Sequence, residues 1–377
     1  MAFTYLTNIP LEQARTDYLV QLRSLGLKPK IETVATVEAK HRVTAESVYA
    51  RISAPHYNAC AMDGIALDAA KTYGANEVTP VNLSDEDFFW VNTGDSLPDG
   101  CDSVVMIEDV IQENEKVLLF GAASPWQNVR QIGEDIAAGD MIVPSYEELT
   151  PAALGALLAS GVLEVKVVKK PLVGFIPTGN EIVSPRADPK PGEIIEFNSI
   201  IFSGMVEDWG CDPRVYPIIR DQPEAIEDTL RIAVEECDLV LLNAGSSAGA
   251  KDYAVEAIDK VGEVVLHGIA IKPGKPTILA YSKAIDKVVP VIGLPGYPVS
   301  GILVMELLIK AVIQLLTKAP FTEMKMIQAT SSRRLPSSLK YLEFVRARIG
   351  NVNGKHVAIP LNRGAGVVSS FVKADGI

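Results

Sequence analysis

Gly293-Leu294-Pro295-Gly296-Tyr297-Pro298-Val299-Ser300 closes an apolar, strand-like run and opens a long apolar helix. Shortly before it, Lys272-Pro273-Gly274-Lys275-Pro276 ends a second strand-like run. A Gly/Pro turn at the carboxyl end of a strand is where open α/β sheets place ligand sites. Glycine lets the backbone approach a ligand closely, and proline stiffens the turn. Lys272 and Lys275, held on such a turn, suit phosphate or another oxyanion. Ordinary loop punctuation gives the same pattern, so neither turn alone decides a function.

Outward from these turns, strand-like and helical runs alternate. Leu172–Ile176, Arg214–Ile219, Leu239–Asn243, Glu263–Ile269 and Val288–Ile292 read as strands, with helical runs at about 198–209, 222–236, 252–260 and 298–317. That alternation predicts a doubly wound, largely parallel sheet. Upstream, residues 11–25 carry apolar side chains at helical spacing until Gly26 stops the run. Residues 31–52 mix Val, Thr and Ile with charges and read as strands with a short helix. Residues 62–145 show little helical periodicity. Their short apolar runs Phe88–Asn92, Ser103–Ile107, Lys116–Phe120 and Met141–Val143, set between Gly, Asp and Pro turns, predict a small all-β module. Thr150-Pro151 reads as N-cap and first position of a helix ending at Gly161. From about residue 325 the chain turns β-like again, with Tyr341–Ile349 and His356–Ile359, and stops at Ile377, where another strand is expected.

A chain of 377 residues, 48% of them hydrophobic, is long enough for several cores. Lysine plus arginine is 35 and aspartate plus glutamate 47, a net charge of −12. So acidic a chain is a poor general binder of nucleic acid or of an anionic membrane. An anionic substrate then needs a local basic pocket or a bridging metal. Cys60, Cys101, Cys211 and Cys237 show no CxxC spacing, which argues for free thiols in a reducing cytoplasm. No signal peptide and no long uncharged apolar run for a membrane span is evident. The four histidines show no spacing for a metal pair or triad, and neither a P-loop nor a G-x-G-x-x-G fingerprint is present.

Acids recur beside Gly or Thr in turn-like contexts. They are Met62-Asp63-Gly64, Thr93-Gly94-Asp95, Glu108-Asp109, Gly133-Glu134-Asp135, Thr178-Gly179-Asn180-Glu181, Asp221 and Asp252. Acids beyond strand ends can converge on a hard cation such as magnesium, which prefers oxygen ligands. Each taken singly reads equally as an Asx turn or a helix cap, Asp252 included. Gly245-Ser246-Ser247-Ala248-Gly249 has the composition of a backbone anion cradle at a helix start.

In order along the chain stand Tyr57-Asn58-Ala59-Cys60-Ala61-Met62-Asp63-Gly64, Asn92-Thr93-Gly94, Pro98-Asp99-Gly100-Cys101-Asp102-Ser103-Val104-Val105-Met106 and Gly133-Glu134-Asp135. Pro177-Thr178-Gly179-Asn180-Glu181, Lys272-Pro273-Gly274-Lys275-Pro276, Leu294-Pro295-Gly296 and Glu343-Phe344-Val345-Arg346-Ala347 follow. In this order and spacing the chain resembles the molybdopterin molybdenumtransferases of the MoeA and gephyrin E-domain type. The resemblance implies an elongated linking domain at 1–46 and 141–170 and an inserted β module at 47–140. It further implies an α/β domain at 171–324, like that of the molybdopterin adenylyltransferases, and a short C-terminal β domain at 325–377. It implies insertion of molybdenum from molybdate into adenylylated molybdopterin with release of AMP, a magnesium ion, and a homodimer in which one subunit's β module completes the other's site. A molybdopterin adenylyltransferase is the implied partner.

Carried over by motif, Asp63, Thr93, Asp135, Glu181 and Asp252 are the implied catalytic residues, and Glu181, Asp221 and Asp252 the implied metal ligands. Gly245, Ser246, Ser247, Gly249, Lys272, Lys275, Pro295 and Pro298 are the implied substrate-binding residues. The chain departs from the family at the shortened Gly245–Gly249 loop, at Tyr297 in place of Asn, and at Cys60 in place of Ser. Adenylyl transfer from ATP and a non-catalytic carrier or scaffold remain the competing readings, and the residues do not separate molybdate from tungstate.

Overall fold

The structure, a computed structural model, describes residues 8–113, 116–244, 253–284, 287–320 and 325–377. The chain divides into two compact units, Met1–Glu32 with Val168–Ile377, and Thr33–Val167.

The larger unit is built on six strands: β1 (Leu172–Pro177), β2 (Asp212–Val215), β3 (Leu239–Ala244), β4 (Glu263–His267), β5 (Ile278–Ala284) and β6 (Lys287–Pro295). They lie in the order β2-β1-β3-β6-β5-β4. The first four are parallel, while β5 runs antiparallel to both β6 and β4. Five helices accompany them: α1 (Leu11–Ser24), α2 (Asn198–Asp208), α3 (Pro223–Glu236), α4 (Tyr253–Val261) and α5 (Pro298–Thr317). Alternate side chains of a strand point to opposite faces, and each face meets its own helices. Val173, Phe175, Leu239, Leu241, Ile292 and Leu294 pack with α1, α2 and α5. Ile176, Val240, Leu242, Val289 and Val291 pack with α3 and α4. Helices cover both faces, so the sheet is doubly wound.

Two strands differ from the sequence reading. Strand β5 was not anticipated; it is buried over Ile278–Ser282 and carries apolar side chains on both faces, so the polar alternation of a half-exposed strand is missing. Strand β2 covers Asp212–Val215 rather than Arg214–Ile219, because Pro217 has no N–H to extend the ladder; Ile219 makes one isolated bridge to Thr178. Helix α5 is long and apolar enough to cross a membrane, but it is mostly buried as the core helix of this unit. It tightens onto α2 at Gly301, where an added Cβ would lie 2.4 Å from Phe202 Cζ. In the C-terminal part, Ala347–Val352 and Lys355–Pro360 form an antiparallel pair, and Leu342–Glu343 runs parallel to Ile271–Lys272.

The smaller unit contains the expected all-β module. Gly64–Leu67 lies antiparallel between Phe88–Val91 and Ser103–Met106, and Lys116–Leu119 lies antiparallel to Val81–Leu83 and Ile111–Glu113. Ile65, Leu67, Phe88, Val105, Val117 and Leu119 form its core. Beside it, helix Pro151–Ala159 starts at Thr150, whose hydroxyl accepts from the Ala153 N–H at 3.2 Å.

Gly301→Ala should overpack the α2–α5 contact and cost about 1–3 kcal/mol. Thermal unfolding should show a clearly lower Tm with the same far-UV circular dichroism at 20 °C or so below it; an unchanged Tm would mean Phe202 can move aside.

Candidate active site

At the carboxyl edge of the sheet, β1 runs into Thr178–Glu181, β3 ends at Asn243 and Ala244, and β6 runs into Gly296–Pro298. Two antiparallel steps make β4 parallel to β6, so the β4–β5 connection emerges at this same edge. That connection contains Lys272–Pro276. The turn therefore lies between two antiparallel strands, after the short Ile271–Lys272 strand, and does not end a long parallel one.

The lysine turn is held tightly. Gly274 has φ +118°, and a Cβ there would come 2.7 Å from Ile271 Cδ1, so glycine is required. The Thr277 hydroxyl donates to Gly274 O at 2.8 Å, and the Ile269 N–H donates to Lys275 O at 2.9 Å. The two lysines differ in their surroundings. Lys272 Nζ lies 3.7 Å from Glu343 Oε1. The Glu343 side chain is only 7% exposed and also pairs with Arg363. Lys275 Nζ sits 5.6 Å from the Tyr341 ring centroid, a cation–π contact. No ion pair to a carboxylate engages Lys275 among the described residues. Lys272, Pro273, Glu343, Phe344, Arg363 and Ala365 line a cleft of about 550 Å³.

The proline turn is braced from both sides. Asn198 Nδ2 donates to Gly296 O at 2.9 Å, and the Val299 N–H donates to Ala365 O at 3.1 Å. Pro295 ends β6 and Pro298 is the first residue of α5, where its missing N–H costs nothing.

The loops that carry Glu181 and Asp221 are joined through Asn180, whose Oδ1 accepts from the Asp221 N–H at 3.2 Å. The Gly179 N–H donates to Ile219 O at 3.1 Å and joins the same two loops. Gly179 has φ +147°, and a Cβ there would meet Ile182 Cγ1 at 2.6 Å. Glu181 is exposed and Asp221 half-buried. Gly245, Ser246, Ser247, Gly249 and Asp252 lie outside the described residues. Among the described residues no three His, Cys, Asp or Glu side chains stand close enough to hold a metal.

In the smaller unit, Asp63 and Thr93 meet. Asp63 Oδ1 accepts from the Thr93 N–H at 2.6 Å and from its hydroxyl at 2.9 Å. The two bonds, the backbone one first, hold the Asp63 carboxyl below its ordinary value. Gly64 is obligatory beside it, since a Cβ would lie 2.0 Å from Val105 O. Asp135 stands on a different loop, tied by its N–H to Ala54 O at 3.3 Å, and its neighbour Glu134 pairs with Arg130 at 2.5 Å.

Sequence reasoning passed over Arg346, although it sits in the quoted Glu343–Ala347 run. Arg346 is fully buried. Its Nε donates to Ser370 Oγ at 3.0 Å and its Nη2 to the carbonyls of Asn362 at 2.8 Å and Gly364 at 3.1 Å. Burial pushes the guanidinium down. It fixes the loop that carries Arg363 and so, through Glu343, the surroundings of Lys272. An arginine inside an apolar run was the available signal.

Three family models match the chain. The MoeA N-terminal region (domain I and II) covers residues 9–161, a family described as a probable molybdopterin binding domain covers 174–315, and the MoeA C-terminal region (domain IV) covers 328–377. The crystal structure of a molybdopterin biosynthesis MoeA protein from Pyrococcus horikoshii has a TM-score of 0.82 and 32% identity, over 98% of this chain and 94% of that one. A provisionally named molybdopterin biosynthesis protein of Methanocaldococcus jannaschii is 32% identical, over 98% of this chain and 92% of its own. The molybdopterin molybdenumtransferase of Haemophilus influenzae is 28% identical, over 97% and 93%. The fold is thus that of an enzyme of molybdenum cofactor biosynthesis. The chain belongs to the MoeA family of molybdopterin molybdenumtransferases.

The depressed Asp63 value carries a sign. Its hydrogen bonds stabilise the fold above the ordinary aspartate range, and that contribution is lost as pH falls through the lowered value. A pH titration followed at the Thr93 amide by NMR should show a midpoint below that of exposed aspartates. Asp63→Asn should abolish the titration; its persistence would assign the shift to another carboxylate.

Proposed function

We propose that the chain takes adenylylated molybdopterin and molybdate, places molybdenum on the dithiolene and releases AMP. The observation that supports this reading is that the clamped Lys272–Pro276 turn and the Thr178–Glu181 and Asp221 loops open along the same edge of one sheet. Lys275, without a carboxylate partner among the described residues, supplies positive charge for an oxyanion: a substrate phosphate or molybdate itself. Lys272, shared with Glu343, supports it. Pro295 and Pro298 keep the backbone between them rigid against the bound substrate.

Glu181 and Asp221 fit magnesium in donor chemistry, both being hard oxygen ligands on adjoining loops. Asp252 is the third ligand in this reading. The chemistry a bound magnesium supplies is neutralisation and polarisation of the pyrophosphate. The protein's own contribution is positioning and charge complementarity as the phosphoanhydride breaks and AMP departs. Asp63, Thr93 and Asp135 act from the β module of a second subunit, the Asp63 carboxylate kept ionised and oriented by Thr93.

Adding molybdate to protein loaded with adenylylated molybdopterin should release AMP; a carrier would release none, and an adenylyltransferase would instead form the adenylylated compound from ATP. Lys275→Gln keeps length and deletes charge. A charge-assisted hydrogen bond is worth about 1.5–3 kcal/mol, so affinity for the oxyanion substrate should fall roughly tenfold to a hundredfold. Tm should move little, because half-buried Lys275 contributes only its cation–π contact with Tyr341 to the fold. A lower Tm with intact binding would make Lys275 part of the scaffold.

A site completed by a neighbour requires a two-fold dimer. Light scattering at micromolar concentration should give twice the chain mass, and a monomer with full activity would refute the shared site.

A further inference from the structure

Two buried asparagines stand at the carboxyl edge on one face of the sheet. Along β3, Leu239 and Leu241 belong to the core shared with α1, α2 and α5, while Val240 and Leu242 belong to the other. Asn243 therefore lies on the α2 side. Asn198 opens α2, which packs on that side through Phe202 and Val206. Each asparagine is 8% exposed, and the Oδ1 atom of each has no hydrogen-bond partner among the described residues. The orientation of Asn198 is fixed, because its Nδ2 donates to Gly296 O at 2.9 Å, so the atom left over is the carbonyl oxygen. Asn243 pairs in register with Leu294, and its backbone carbonyl already accepts from Thr178 N–H at 3.0 Å. Both spare acceptors thus adjoin Leu294-Pro295-Gly296.

A buried acceptor without a donor is costly, and leucine would fill a similar volume without that cost. Two such acceptors beside one turn call for a partner that brings N–H groups. Phosphate and molybdate bring none, and two carbonyl oxygens repel them; the lysines serve those groups. Resting on the molybdopterin reading of this edge, we propose that Asn198 and Asn243 bind the donor edge of the pterin ring, its N3–H and 2-amino group. Solvent does not reach either oxygen, so side chains packed over them must shift as the ring enters while the Pro295–Pro298 turn holds its place.

The test compares pterin-6-ylmethyl phosphate with its 2-oxo counterpart, lumazine-6-ylmethyl phosphate, in which an acceptor replaces the 2-amino donor. Binding is read by fluorescence on the whole chain, with AMP as control. The wild type should prefer the pterin by roughly tenfold or more, since a site built for a donor rejects the analogue that lacks it. Asn243→Leu and Asn198→Leu should bring the two affinities together and leave AMP binding unchanged. For Asn243→Leu, which spares the Gly296 clasp, Tm should hold or rise. Equal wild-type affinity for the two pteridines, with AMP bound, overturns this assignment alone. So does a preference that survives in both variants, or a lowered Tm in Asn243→Leu with the preference kept. Failure of the wild type to bind either pteridine or AMP overturns the molybdopterin reading and this assignment with it.

Discussion

A parallel strand buried on both faces has nowhere to put polar side chains except at its ends. In the larger unit that constraint governs β1, β3 and β6, whose side chains vanish into one apolar layer or the other. Helices α1, α2 and α5 seal one face, α3 and α4 the second. The seal needs close approach, and Gly301 supplies it by admitting the Phe202 ring against α5. Everything able to bind a polar substrate is then pushed to the strand ends. The acids after β1, the turn after β6 and the lysine turn before β5 share an edge for that reason.

Electrostatics at that edge are set by the C-terminal part as much as by the sheet. The chain carries a net −12, yet among the described residues the Lys275 ammonium has no carboxylate partner, while the nearly buried Glu343 pairs with Arg363 and Lys272. Arg346, buried with no acid paired to it among the described residues, anchors the loop that makes this arrangement possible. Three oxygen acceptors receive N–H groups of its Nε and Nη2, which offsets part of the cost of burial, while Nη1 has no partner among the described residues. Tyr341, from the same part, takes the face of Lys275. The segment after residue 325 therefore decides which lysine is available.

Much of this was legible in the chain. Helical spacing marked α1 to α5 within a residue or two, and the turn chemistry of Met62-Asp63-Gly64 and Asn92-Thr93-Gly94 marked the ends of strands that do bring Asp63 and Thr93 together. Family motifs named the lysines and acids. What escaped had physical causes. Strand β5 lacks polar alternation because both its faces are buried. Arg346, Asn198 and Asn243 look like ordinary residues in apolar runs, and their meaning lies in burial and in unpaired atoms, which no spacing reveals.

The sequence by itself determined the elements and their chemistry: which runs are strands or helices, where glycine is obligatory, and which turns carry lysines or acids. Those properties are local, set by side-chain period, backbone freedom and charge. The tertiary structure decided partnership. That Lys272 leans on Glu343 while Lys275 does not, that Asn180 ties Asp221 to the Glu181 loop, and that two asparagine oxygens are left over beside Gly296 depend on contacts between segments far apart in the chain. Such contacts exist only once the sheet order β2-β1-β3-β6-β5-β4 has brought those segments to one edge.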